Sequence, residues 1–289
     1  YAMKAHWNEH PDRDEAWAEA EKARIGEERF RREHECEFLI FDETLIDSIH
    51  LADMEAAAPV ETTGQVRWFK RPTPGHTYMV SLDPSMGTGG DFSAIQIFEL
   101  PTFEQIGEWQ HNMTPMNQQV RILQGINKHI HDSIVEKDAS ATPQIFYSME
   151  NNTIGEAALM RVMDIGEENI MGMFLSEPIR KGHRRKFRRG FNTTAKFKID
   201  ACTKFKELVE SGKMKINSQL LISELKDFVA TGLSFKAKPG QHDDLVSACL
   251  LMTRMMKVLA DFDPKIFERW TDRSSEMTTP MPIFGNFYG

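Results

Sequence analysis

Three stretches of the chain end in carboxylates placed where chemistry is possible. Thr77-Tyr-Met-Val-Ser-Leu-Asp83-Pro-Ser-Met-Gly-Thr-Gly-Gly-Asp91 is an apolar run closing on an aspartate, followed by a glycine-rich reversal and a second aspartate. Gln144-Ile-Phe-Tyr-Ser-Met-Glu150-Asn-Asn152 is another apolar run closing on a carboxylate. Gly240-Gln-His-Asp243-Asp244 precedes a long apolar stretch. Each alone also fits an ordinary role: a solvated hairpin, a strand-end turn, or a helix start where acidic charge suits the macrodipole. Together, Asp83, Glu150, Asp243 and Asp244 form an oxygen donor set without interleaved His or Cys, which favours Mg²⁺ or Mn²⁺ over zinc. A two-metal site of this kind catalyses phosphodiester displacement by activating a water and stabilising the leaving oxygen. His10, His183 and His242 are single histidines suited to surface or capping roles, and His242 could also tune a metal-bound water.

The basic residues supply the other half of such a site. Arg180, Lys181, Arg184, Arg185, Lys186, Arg188 and Arg189 fall within ten residues, and Lys196 and Lys198 follow. Residues 180–215 carry 13 Lys+Arg against 3 Asp+Glu, although the whole chain has a net charge of −8. The acidic excess lies in residues 1–60, with 7 Lys+Arg against 16 Asp+Glu. A polyanion responds to local potential, so this dense run is read as a phosphate-contacting surface, the alternative being a solvated loop.

Positioning these groups requires a sheet. Residues 77–83, 92–100 and 105–111 read as three successive strands, 144–150 as a fourth and 170–175 as a fifth. Met214–Ile216 reads as a short strand. Helices are expected from Asp14 to about Glu35 with a break at Gly26, over 116–135 behind Pro115, from Gly155, over 195–211 capped by Thr193 or Thr194, over 219–229 and over 245–262. Cys36–Phe41 fits a strand or extended arm, and residues 42–65, with Ala56-Ala-Ala-Pro59 and Thr62-Thr-Gly64, read as a linker. Trp7, Trp17, Phe30 and Phe38 imply that the leading helix packs on something. Three strands followed by alternating helix and strand give an α/β sheet of mixed strand order. Asp83 and Glu150 then sit at strand carboxyl ends, where open α/β sheets bind ligands.

The 289 residues suffice for one large domain with appendages, and 40% apolar with 27% charged residues is an ordinary soluble mix. No run is long and apolar enough for a transmembrane helix, and no membrane partner is expected. Cys36, Cys202 and Cys249 lack C-x-x-C spacing, which argues against a zinc ribbon or disulfide framework and fits a reducing compartment.

The combination of Asp83-Pro-Ser-x-Gly-x-Gly-Gly-Asp91, Glu150-Asn-Asn, Gly190-Phe-x-Thr-Thr-x-Lys196 and Gly240-x-His-Asp-Asp-Leu-Val246 resembles the nuclease domain of tailed-phage terminase large subunits. Arg13-Asp-Glu-Ala-Trp17, Gly26-Glu-Glu-Arg-Phe30 and Glu35-Cys-Glu-Phe38 look like the junction after that family's packaging ATPase. The resemblance implies an RNase H-like mixed β-sheet flanked by helices, and a metal-dependent endonuclease that cuts concatemeric viral double-stranded DNA during packaging. It makes Asp83, Glu150 and one or both of Asp243 and Asp244 the metal ligands, with Asp91 auxiliary, and puts residues 180–189 in a hairpin gripping DNA. It further implies work in the infected host cytoplasm beside the portal and small terminase subunit. No G-x-x-x-x-G-K-[ST] motif occurs, so the chain is read as a fragment: residues 1–65 a junction after a missing ATPase domain, 66–262 the nuclease and 263–289 a tail. Rival readings are another RNase H-like nuclease or junction resolvase, or a DNA-binding module without catalysis.

Overall fold

The computed structural model describes residues 7–27, 30, 34, 35, 43–178, 189–232 and 234–262. Strands β1 (Glu61–Thr63), β2 (Val66–Trp68), β3 (Thr77–Asp83), β4 (Ser93–Leu100), β5 (Glu104–His111), β6 (Gln144–Met149) and β7 (Met173–Phe174) form one sheet in the order β1-β2-β5-β4-β3-β6-β7. The sheet is mixed. β3 pairs antiparallel with β4 and parallel with β6, which pairs parallel with β7. A separate hairpin joins β8 (Phe228–Thr231) to β9 (Ser234–Ala237).

The helices are α1 (Glu15–Ile25), α2 (Ser48–Asp53), α3 (Met116–Lys137), α4 (Thr153–Ile165), α5 (Ala195–Glu210), α6 (Gln219–Asp227) and α7 (Asp244–Phe262). Alternation along the central strands decides which face each helix covers, because successive side chains point to opposite sides. Tyr78, Val80 and Leu82 join Ile95 and Ile97 under the apolar stripes of α3 and α4. Met79, Ala94 and Phe98 join the core of α5, α6 and α7 on the other face. Ser81 donates to the Ala248 carbonyl at 2.7 Å, fastening α7 directly onto β3.

Several sequence expectations change. The stretch read as a linker, 42–65, is structured from Thr44 on: Leu45, Ile46 and Leu51 are buried in the core, Asp47 caps α2, and β1 extends the sheet. Alanine-rich composition hid three well-placed apolar side chains. Met214–Ile216 is not a strand; Lys215 makes a single bridge to Glu104, and its backbone bonds run to the Phe103 carbonyl and the Gln105 N–H. Helix 219–229 stops at Asp227, and the chain turns into β8. The leading helix does break where expected: it ends at Ile25, with Gly26 at φ +86°. Its aromatics pack on one another: Trp7, Trp17 and Phe30 have ring centroids 6.0–6.1 Å apart. Phe38, the expected extended arm at 36–41 and the tail 263–289 lie outside the described residues.

Candidate metal centre

Asp83 is the last residue of β3, and Glu150 follows β6 directly. The parallel register pairs Leu82 with Met149, and the Glu150 N–H donates to the Leu82 carbonyl at 3.1 Å. Asp83 shares strand parity with Met79 and Ser81, as Glu150 does with Phe146 and Ser148. Both carboxylates therefore emerge on the α7 face at the same sheet edge. They lie within hydrogen-bonding reach of each other, and Asp244 and Asp243 add negative potential. Burial first, then the Glu150 charge and hydrogen bond, then the two aspartates hold Asp83 well above the usual carboxylate range. This is the response of clustered carboxylates when no cation offsets their repulsion. Among the described residues, no three Asp, Glu, His or Cys side chains stand as a ready-made ligand cage. The donor set is all oxygen and suits a hard divalent cation.

Local chemistry explains the Glu150-Asn-Asn motif. Asn152 caps α4, accepting from the Ile154 and Gly155 N–H groups at 3.0 and 2.8 Å, and its Nδ2 donates to Glu150 Oε2 at 3.2 Å. Asn151 is buried; its backbone N–H donates to the Phe191 carbonyl at 2.6 Å and its Nδ2 to the Arg189 carbonyl at 2.7 Å. The Phe191 N–H in turn donates to the Met149 carbonyl. The segment carrying Gly190 and Phe191 is thus stitched along both sides of Glu150. Gly155 has to lack a side chain, because a Cβ there would stand 1.8 Å from the Glu150 carbonyl oxygen.

The glycine turn has a similar requirement. Gly87, at φ +68°, lies so near the start of α3 that a Cβ would meet the Thr114 carbonyl at 2.1 Å. Gln119 donates to the carbonyls of Ser85 and Thr114 at 2.8 and 2.7 Å, binding the turn to α3. Asp91 is exposed on the rim beyond it, near enough to raise the Asp244 carboxyl.

Asp244 opens α7. Burial pushes its carboxyl up to about 6, against the Phe92 N–H that stabilises the charged form; Asp243 and Asp91 raise it further, and His242 lowers it. His242 Nδ1 lies 3.6 Å from Asp244 Oδ2 and packs edge-on to Phe92 at 4.8 Å. Asp243 faces differently, its Oδ2 accepting the Ala237 N–H at 3.2 Å, with Lys198 Nζ at 3.9 Å. Lys198 lines a cavity of about 180 Å³ with Glu150, Thr193, Ser247 and Arg254. Lys196 is exposed in the first turn of α5. Arg189 donates to Glu167. Arg180, Lys181, Arg184, Arg185, Lys186, Arg188 and His183 lie outside the described residues.

Two residues beside the cluster carried no sequence signal. Glu224, on α6, has its carboxyl pushed up to about 8 by burial and by Asp244, against hydrogen bonds from Val246, Gln110 and Leu245. Arg254, on α7, donates to Glu177, to the Asn192 carbonyl at 2.9 Å and to Thr193 Oγ1 at 3.0 Å. Neither belongs to a motif; only folding brings them near.

A mixed sheet with a central antiparallel β4-β3 pair, a parallel β6 beside it and helices on both faces is the RNase H-like α/β fold. It is the fold of large-terminase nuclease domains. The large terminase nuclease of thermophilic phage G20c matches with a TM-score of 0.53 at 17% identity, over 73% of this chain and 97% of that one. The same nuclease with bound magnesium gives 0.54 at 17% identity, over 74% and 97%. The large terminase nuclease domain of Thermus phage P74-26 gives 0.50 at 18% identity, over 70% and 91%. No protein-family model matches the chain.

Proposed function

We propose that this chain is the nuclease of a viral DNA-packaging terminase, a divalent-metal-dependent endonuclease that cuts concatemeric double-stranded DNA. The observation that carries the reading is the convergence of Asp83 and Glu150, from adjacent parallel strand ends, on the α7 face where Asp243 and Asp244 begin the helix. The nearby fold relatives support it, since the G20c nuclease was solved with magnesium and with cobalt. In this reading Asp83, Glu150 and Asp244 hold Mg²⁺ or Mn²⁺ at a two-metal site, with Asp243 steadying the loop and Asp91 serving as an auxiliary group. The bound metals supply a low-pKa water and stabilise the leaving oxygen. The chain's own residues do the placing: Asn152 orients the Glu150 carboxylate, and the Phe92 N–H orients Asp244. Lys196, Lys198 and the basic residues 180–189 hold the DNA backbone, positioning the duplex with little sequence preference. The partners are DNA, a packaging ATPase domain of the same polypeptide, the portal and the small terminase subunit, in the infected host cytoplasm. Among the described residues no helix is long and apolar enough to cross a membrane.

Plasmid cleavage in Mn²⁺ tests the assignment. The wild-type protein should nick and linearise supercoiled DNA, and Asp83→Ala should leave it intact; equal cutting by both would sink the metal site. For the basic segment, Arg184→Ala/Arg185→Ala should weaken DNA binding and reduce the log–log salt slope by about 2. An unchanged slope would remove these residues from the DNA contact.

A further inference from the structure

We infer that Glu224 is a positioning residue for the metal centre, acting through the first turn of α7; the inference rests on the metal-site reading above. Most helices of the fold that carry a side-chain cap take it from the residue just before them. Asp14, Asp47, Asn152, Thr194 and Ser218 each accept an N–H of the helix they precede. The first turn of α7 is served differently. Glu224 Oε2, 22 residues upstream on α6, accepts the Val246 N–H at 3.1 Å, and the Leu245 N–H also stabilises the Glu224 carboxylate. Its other oxygen, Oε1, accepts from Gln110 Nε2 of β5 at 2.8 Å.

These N–H groups directly follow Asp244 and have no partner within their own helix. Leu245 and Val246 are fully buried, so water is a poor substitute. Glu224 is itself anchored, because the start of α6 is bonded to β5. Gln105 Oε1 accepts the Asn217 and Ser218 N–H groups at 2.9 and 2.8 Å, and Ser218 Oγ donates to Glu108 at 2.6 Å. A continuous chain of hydrogen bonds therefore runs from β5 through α6 and Glu224 to the backbone that presents Asp244. Local contacts, the Phe92 N–H on Asp244 and the Ser247 N–H on the Asp243 carbonyl, are thus joined by a support that comes from the sheet. Groups that orient metal ligands from behind typically shift metal affinity by roughly 10–100-fold when removed.

The test is Mn²⁺ binding, read from the electron paramagnetic resonance signal of free Mn²⁺, with circular dichroism and thermal unfolding to verify the fold. Glu224→Ala should bind Mn²⁺ roughly 10–100-fold more weakly, and Glu224→Gln, which keeps an acceptor oxygen for the Val246 N–H, should stay near wild type. Folded Glu224→Ala with wild-type affinity would overturn the inference. If Glu224→Ala fails to fold, Gln110→Ala replaces it: weakened Mn²⁺ binding supports the chain of bonds, and unchanged binding overturns it. A wild-type protein that takes up no Mn²⁺, or an Asp83→Ala variant that takes up as much as wild type, would instead fail the metal-site reading itself.

Discussion

Asp83, Asp244 and Glu224 share one electrostatic predicament, and it has a measurable sign. Burial leads in all three cases, raising Asp83 well above the usual range, Asp244 from 3.8 to about 6 and Glu224 from 4.5 to about 8. A raised carboxyl binds its proton more tightly folded than unfolded. Its stabilisation is complete below the unfolded value near 4 and is lost as pH climbs through the folded one. Glu104 does not offset this. Burial works upward on it but is outweighed by hydrogen bonds from Lys215, Lys70 and Asn217, leaving it at about 2, so its contribution changes only below about pH 4.5. The metal-free protein should therefore melt at a higher temperature at pH 5 than at pH 8, and Mn²⁺ should restore stability mainly at pH 8 by giving the ionised carboxylates a partner. Calorimetry in chelator at the two pH values checks this; a higher melting temperature at pH 8 without metal would refute it.

At the scale of elements, the site depends on where helices touch strand ends. α4 approaches Glu150 across Gly155, and the glycine turn approaches α3 across Gly87. Gly155→Ala should destabilise by about 1–3 kcal/mol through overpacking and reduce cleavage, because either α4 or the Glu150 backbone must move. Gly125 provides the contrast: it lies within α3 with nothing within 4 Å of a Cβ. Gly125→Ala should stabilise by roughly 0.5–1 kcal/mol, as expected for relieving a helical glycine. Urea unfolding of the two variants separates close approach from simple helix propensity.

The described residues build a seven-stranded sheet with a core on each face, and Asp83 and Glu150 open toward the α5–α6–α7 side. That side also holds Leu45, Ile46 and Leu51, so these residues ahead of β1 belong to the core beneath the candidate metal centre. Leu51→Ala should cost about 2–5 kcal/mol, the range for emptying a buried leucine site. A stability loss below 0.5 kcal/mol, within the usual surface range, would place this segment outside the core.

Apolar runs closing on Asp83 and Glu150, the glycines at 87 and 89, and the acidic pair before a long apolar helix were all legible in the sequence, because period, turn chemistry and capping are local properties. The α/β order followed from the same signals. Those local signals could not reveal that Glu150 lies in register beside Asp83, since strand pairing joins residues 67 apart. They gave no hint of Glu224 or Arg254, whose side chains gain meaning only when α6 and α7 pack. They also misjudged 42–65, where three apolar residues in an alanine-rich stretch show no period long enough to announce a core. Tertiary structure decided those points for one physical reason: burial and long-range hydrogen bonding act between segments, and a carboxylate's charge state depends on whichever neighbours the fold brings to it.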